Sequence, residues 1–213
     1  LMEMTNLVKL LLKKIKFDVN STKISLPSLK ELEIDCNPDF LNVPNLKNLI
    51  FIGHSFPTDF INSCENLTHL KFRLLTNPTE IGAIYPQLTN LNAEYRMTAS
   101  LIPLFESQKT SLKELDVDAK QHGEIEFAIN SMKLEKLIFH VPNVLTTLSK
   151  NTSIKELHLF HFRSETVLQS IAQILESCSA VEHLMIELNV QDNLATVMMA
   201  SRFLPKSSST IPC

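Results

Sequence analysis

Glycine is almost missing from this chain, at 3 of 213 residues. Gly-rich phosphate loops and glycine-turn hairpins are thereby nearly excluded, since both need backbone conformations that other residues resist. Trp is absent and Tyr occurs twice, so the aromatic content rests on 12 Phe, rings suited to a core and carrying no polar handle. The 4 cysteines, Cys36, Cys64, Cys178 and Cys213, show no CxxC spacing. Neither a zinc site nor a disulfide framework is indicated, and a reducing cytoplasmic or nuclear setting is expected. An excess of either charge is lacking too: 20 Lys plus Arg stand against 23 Asp plus Glu, a net charge of -3. That balance argues against bulk electrostatic binding to nucleic acid or to an anionic membrane. No run of about 18 apolar residues exists to span a bilayer. The start, Leu1 to Phe17, carries Glu3 early and lysines after its apolar stretch, unlike a secretory signal. The first residue is Leu1 rather than Met, which leaves room for sequence upstream.

What is present is a repeat. The phrase Leu-x-x-Leu-x-(apolar) begins at Leu7, Leu29, Leu46, Leu67, Leu88, Leu112, Leu134, Ile154 and Val181, and only Ala93 stands small at a third anchor. Successive first anchors are 17 to 27 residues apart. The last two anchors of each copy, such as Leu115 and Val117, lie two residues apart and so share one face of a short strand. One copy cannot bury its own apolar face, so stability must come from stacked neighbours. The expected architecture is therefore α/β: a solenoid with a parallel sheet on its concave side and short helices or irregular segments on its convex side. The repeats would occupy 1–189, and 190–213, with Ser207, Ser208, Ser209 and Thr210, would form a partly disordered tail.

Helix signals lie in the return segments. Ser164 can cap a helix to Cys178, with Leu168, Ile171, Ile174 and Leu175 at helical spacing. Asn77-Pro78-Thr79-Glu80 has the form of a cap leading to Ile81 and Ile84, stopped by Pro86. Thr98 could open a helix to Ser107, shortened or kinked by Pro103. Residues 57–63 and 143–150 read as shorter helical turns. The 17-residue step from Leu29 to Leu46 holds Asn37, Pro38 and Pro44 and is too short for a normal helix.

The residues before each strand narrow the resemblance. Cys64-Glu65-Asn66-Leu67 and Cys178-Ser179-Ala180-Val181 start with Cys, while Leu26-Pro27-Ser28-Leu29, Val43-Pro44-Asn45-Leu46 and Tyr85-Pro86-Gln87-Leu88 put Pro in the next slot. With the repeated strand phrase, they resemble the cysteine-containing leucine-rich repeats of F-box proteins. Asn37 and Asn189 fit that family's second conserved slot. The resemblance implies a protein-binding repeat region that presents substrates to a cullin–RING ubiquitin ligase. The Skp-type adaptor would be held by an F-box, a helical module that these residues do not contain. The alternative is a stand-alone intracellular repeat scaffold or regulator.

Chemistry-bearing motifs are few. No G-x-S-x-G, H-E-x-x-H or Walker loop occurs, so an enzyme is not expected, nor is a cofactor. His158 and His161 lie three apart, which on a strand sends them to opposite faces, so no metal is expected there. Sequons at Asn20, Asn66 and Asn151 are read as chance. The informative positions are those beside the anchors, which alternation turns outward. They are Glu31, Glu33 and Asp35; Ile50 and Ile52; His69, Lys71 and Arg73; Glu114, Asp116 and Asp118; Ile138; His158 and Phe160; and Met185. They predict a protein footprint with acidic and basic bands and apolar anchors.

Overall fold

The computed structural model describes residues 6–13, 23–76, 81–95, 100–117, 122–141, 145–160 and 166–187. Eleven strands occur in chain order: β1 Lys9–Leu12, β2 Ile24–Ser25, β3 Glu31–Ile34, β4 Leu41–Asn42, β5 Asn48–Gly53, β6 His69–Leu74, β7 Asn90–Tyr95, β8 Glu114–Val117, β9 Lys136–His140, β10 Glu156–Phe160 and β11 His183–Glu187. Nine form one open parallel sheet, β1-β3-β5-β6-β7-β8-β9-β10-β11, and β2 pairs with β4 in a small second sheet. Four helices lie between strands: α1 Thr58–Ser63, α2 Ile102–Gln108, α3 His122–Ser131 and α4 Thr166–Ser177. The molecule is thus α/β, and the β1 and β11 edges do not close on one another.

Each strand of the nine-stranded sheet coincides with one copy of the repeated phrase. The register pairs Leu10, Leu32, Leu49, Leu70, Leu91, Leu115, Leu137, Leu157 and Leu184 in one continuous row. Two residues on, Ile34, Phe51, Phe72, Ala93, Val117, Phe139 and Leu159 form a second buried row. The first anchors, Leu29 through Ile154, form a third. At the edges, Leu7, Leu10 and Leu12 on one side and Val181, Leu184 and Ile186 on the other are only partly buried, because each edge strand has a single neighbour. Within the second row size is matched locally: Ala93 and Val117 lie between Phe72 and Phe139, so small side chains sit beside large rings.

The phrase also fixes the backbone. The carbonyl one residue after each first anchor accepts two amides of the next copy: Val8 from Lys30 and Glu31, Lys47 from Thr68 and His69, Lys113 from Glu135 and Lys136, and so on to Lys155 from Glu182 and His183. Just upstream, the amides of Leu29, Leu46, Leu67 and Val181 donate to Leu26, Val43, Cys64 and Cys178 three residues back, closing a turn. Pro27 and Pro44 occupy the second position of that turn, which suits their fixed φ. The residue opening it is buried in each case, as Leu26, Val43, Cys64 or Cys178, so the slot takes a small or medium apolar group.

Where the turn is replaced, a buried polar side chain substitutes. Gln108 Oε1 accepts from the Leu88 amide at 2.8 Å, while its Nε2 donates to the Ile84 carbonyl at 3.1 Å. Asn151 Oδ1 accepts from the Ser153 and Ile154 amides, and its Nδ2 donates to the Ile129 carbonyl. The burial of Asn151 also removes it as a glycan acceptor.

The return segments depart from expectation in four places. Residues 145–150 form no helix; they are tied down by Glu126, which accepts from Thr146, and by Asn130, which bonds Thr147 and Ser149. Residues 81–86 are also non-helical, with Ile84 and Tyr85 tied to Ser107 and Asn62. Helix α3 lacks an obvious sequence cap, and it forms because Ile125, Ala128, Ile129 and Met132 bury one stripe against the sheet's inner layer. In α2, Pro103 stands in the first turn, where its missing N–H costs nothing, so the helix starts there instead of kinking. The proposed caps at Asn77, Thr98 and Ser164, and the tail 190–213, lie outside the described residues. The short step between Leu29 and Leu46 makes β4, which pairs with β2, in place of a helix. Among the described residues no helix is long and apolar enough to cross a membrane.

Two outcomes follow for stability and reactivity. A Cβ at Gly53 would collide with the Phe51 ring, because that ring leans along β5 over the glycine, whereas a Cβ at Gly82 would meet nothing within 4 Å. Gly53→Ala is expected to cost about 1–3 kcal/mol by overpacking and Gly82→Ala to stay within about 0.5 kcal/mol, read from urea melts. Burial raises the thiol pKa of Cys64 to about 11 and of Cys178 to about 12. Both should resist maleimide in the native state and react on unfolding; rapid native labelling of either would place it outside the core.

Candidate partner-binding face

The alternation that buries the anchors turns every second side chain onto the opposite, open face of the sheet. The register arranges these side chains in rows. One row runs Leu11, Glu33, Ile50, Lys71, Asn92, Asp116, Ile138, His158, Met185. The row below it carries Glu31, His69, Glu114, Lys136 and Glu156. The row above carries Ile52, Arg73 and Glu94, then His140 and Phe160. Of the residues predicted to form the footprint, thirteen fall on this face within strands: Glu31, Glu33, Ile50, Ile52, His69, Lys71, Arg73, Glu114, Asp116, Ile138, His158, Phe160 and Met185. Asp35 lies past the end of β3 and lines a separate hollow with Cys36 and His54. Asp118 lies outside the described residues.

The acidic bands are not what the strands suggest one at a time. Lys9 pairs with Glu31 at 2.8 Å and Lys13 with Glu33 at 2.7 Å, so the first band is neutralised from the adjacent copy. Lys71 reaches Glu94 at 2.6 Å, and Lys136 reaches Glu156 at 2.6 Å. His158 Nε2 also lies 2.9 Å from Glu156, whose pKa is lowered chiefly by the Lys136 hydrogen bond. Such exposed pairs are screened by solvent, so they order the face more than they stabilise the fold.

Glu114 and Asp116 differ. Among the described residues neither has a cation within ion-pair distance. Asp116 accepts a hydrogen bond from Asn92 Nδ2 at 2.5 Å. Asn92 Oδ1 is buried and is the one buried side-chain polar atom without a partner among the described residues. Burial is the main cause that raises the Asp116 pKa; Lys71, His140 and His158 oppose it and Glu94 adds to it. Glu114, Asp116, Asn92, Lys71, Ile50 and Ile138 share the rim and floor of a hollow of about 440 Å³.

Beside this hollow the face turns apolar and aromatic. The His140 and Phe160 rings lie 5.9 Å apart, and His158 meets Phe160 edge-on at 6.5 Å. Met185 follows in the next strand at 46% exposure. Lys136 and His140 fall on this face as the outward positions of their repeat predict, whereas Asn92 and Glu94 were not foreseen as face residues, although the repeat alignment contains the needed signal: each stands one position from an anchor. Among the described residues no three His, Cys, Asp or Glu side chains converge as metal ligands. Comparison with protein-family models, curated proteins and solved structures finds no match to this chain.

An aspartate whose folded pKa lies above its ordinary 3.8 holds its proton more tightly when folded. Its charge therefore reduces stability as pH rises from 3.8 through the folded value, and the full penalty is present above that value. Asp116→Asn keeps an oxygen for Asn92 to donate to and removes the charge. Its melting temperature is expected to exceed wild type near neutral pH and to converge with it below pH 3.8. A variant that melts lower at neutral pH would mean the carboxylate is compensated in the fold.

Proposed function

We propose that this chain is a leucine-rich-repeat solenoid that acts by binding protein, and that its open sheet face is the recognition surface. The reading extends to the substrate-recognition region of an F-box protein in a cullin–RING ubiquitin ligase. The observation that carries the first part is the face itself. Half-buried Ile50, Ile138, His158 and Phe160 and exposed Met185 stand in register on strands that no described element covers. A solvated sheet face has little use for such side chains, whereas aromatic and aliphatic anchors amid paired charges are what a protein interface is built from. The nine aligned strands support the solenoid, since one unit per copy, stacked in chain order, is how such repeats share a core. The turn that takes Cys64 or Cys178 at its first position, and Pro at its second in other copies, supports the F-box kinship.

Among the described residues the face pairs no nucleophile with a general base, which favours binding over catalysis. The paired lysines and carboxylates would set partner choice and association rate more than total affinity.

Two variants of opposite design test this. Phe160→Glu with Ile138→Glu is expected to keep the fold and to lower recovery of co-purifying proteins by about tenfold, the effect of losing central anchors. Gln169→Lys with Glu176→Lys, on the exposed side of α4, should leave recovery unchanged. Equal recovery from both would remove the face as the binding surface. Co-purification of a Skp-type adaptor with a longer product of the same gene would support the F-box assignment; a longest product that binds none would favour a stand-alone scaffold.

A further inference from the structure

The two edges of the nine-stranded sheet each carry half of a junction that the interior completes between every pair of neighbouring copies. The carbonyl one residue past a first anchor accepts two amides of the following copy, and in the copy that makes β11 that carbonyl belongs to Glu182. Among the described residues Glu182 has no such amides to accept. Val8 and Lys9, which hold the slot of Lys30 and Glu31, likewise have no such carbonyl to donate to. The anchors are in the same condition. Leu7, Leu10 and Leu12 at the β1 edge and Val181, Leu184 and Ile186 at the β11 edge are the partly buried members of otherwise buried rows. On the open face Leu11 and Met185, 52% and 46% exposed, terminate one and the same row.

Strand edges are ordinarily guarded by a charge, a proline or a bulge. Here the lysines beside β1 are drawn inward, Lys9 to Glu31 and Lys13 to Glu33, and so away from the edge. Strand β11 holds neither lysine nor proline and pairs with β10 without a bulge.

We propose that copies of this chain join head to tail, the β11 edge of one receiving the β1 edge of the next as a further parallel strand. Continuing the register of the sheet sets Leu184 beside Leu10, Ile186 beside Leu12 and, in the turn before them, Val181 beside Leu7. All three rows then run on without a break, and the Glu182 carbonyl meets the amides of Val8 and Lys9. On the open face the same register covers Leu11 with Met185. It also sets Glu187 beside Lys13, a carboxylate beside a cation. The second copy is the fitting occupant because its edge repeats the anchor spacing that every interior strand already accepts.

Twofold pairings fit less well. Two β1 edges brought together antiparallel would set Lys9 and Lys13 of one copy against those of the other. Two β11 edges would leave Val181 with no counterpart, since an antiparallel neighbour places its strand end, and not its turn, at that height. The favoured contact is therefore between unlike surfaces, and such a contact adds copies in series instead of closing on itself as a pair.

Sedimentation velocity of residues 1–213 in reducing buffer, from about 1 μM to about 1 mM, reads this directly. The weight-average mass is expected to rise with concentration and to pass twice the monomer mass. Leu11→Glu blocks the β1 edge and Met185→Glu the β11 edge; both positions are exposed, and circular dichroism checks that each variant keeps the fold. Each variant alone is expected to stay monomeric, because every contact needs one edge of each kind. An equal mixture of the two should recover a dimer and stop there, since only one wild-type contact can form. Wild type that stays monomeric throughout, or that halts at a dimer, overturns the proposal. So does a variant that still self-associates alone, or a mixture that remains monomeric.

Discussion

One carbonyl per copy holds this molecule in register. The residue after each first anchor, from Val8 to Lys155, accepts two amides from the next copy. Each such contact sets where the next strand starts. The three anchors that follow then have no choice but to stand beside their counterparts, and a slip of one residue would turn every leucine outward. The long leucine row and the aromatic row behind it are consequences of that repeated junction, and so are the rows on the opposite face.

Because the junction fixes only the strand and the turn before it, the return segments vary freely. A 17-residue step yields β4 and a pairing with β2, while longer steps admit α2, α3 or α4. Where a return segment fails to supply the usual turn carbonyl, Gln108 or Asn151 supplies side-chain groups to the same amides, and both are buried. Such residues tolerate little change, since removing one strands backbone groups away from water.

The same register turns scattered charges into a circuit. Lys9, Lys13, Lys71 and Lys136 each meet a carboxylate of a neighbouring copy, whereas on β8, among the described residues, Glu114 and Asp116 have no cation within ion-pair distance. A carboxylate that burial disfavours, beside an amide oxygen with no partner, is a local cost in the unbound molecule. On the recognition face proposed for this sheet, the aromatic group on β9 and β10 and Met185 on β11 would contribute contact area.

Much of this was legible in the residues. Leucine at fixed offsets, with the last two anchors two apart, determined nine parallel strands, their inward and outward phase, and the burial of Cys64 and Cys178, because strand periodicity is a local property. Thirteen of the footprint residues followed from the same phase. Helices at 81–86 and 145–150 were misjudged because their local signals compete with long-range bonds to Ser107, Asn62, Glu126 and Asn130, which no window of sequence contains. Helix α3 was missed for the converse reason, since packing of its apolar stripe and not a cap decides it. The state of each charge was likewise beyond the sequence. Glu33 and Asp116 look alike on their strands, each a carboxylate beside a leucine or valine anchor. Only the side-by-side placement of copies some twenty residues apart brings Lys13 to the first and leaves the second with an asparagine, because ion pairing depends on distance in space while the repeat dictates only distance along the chain.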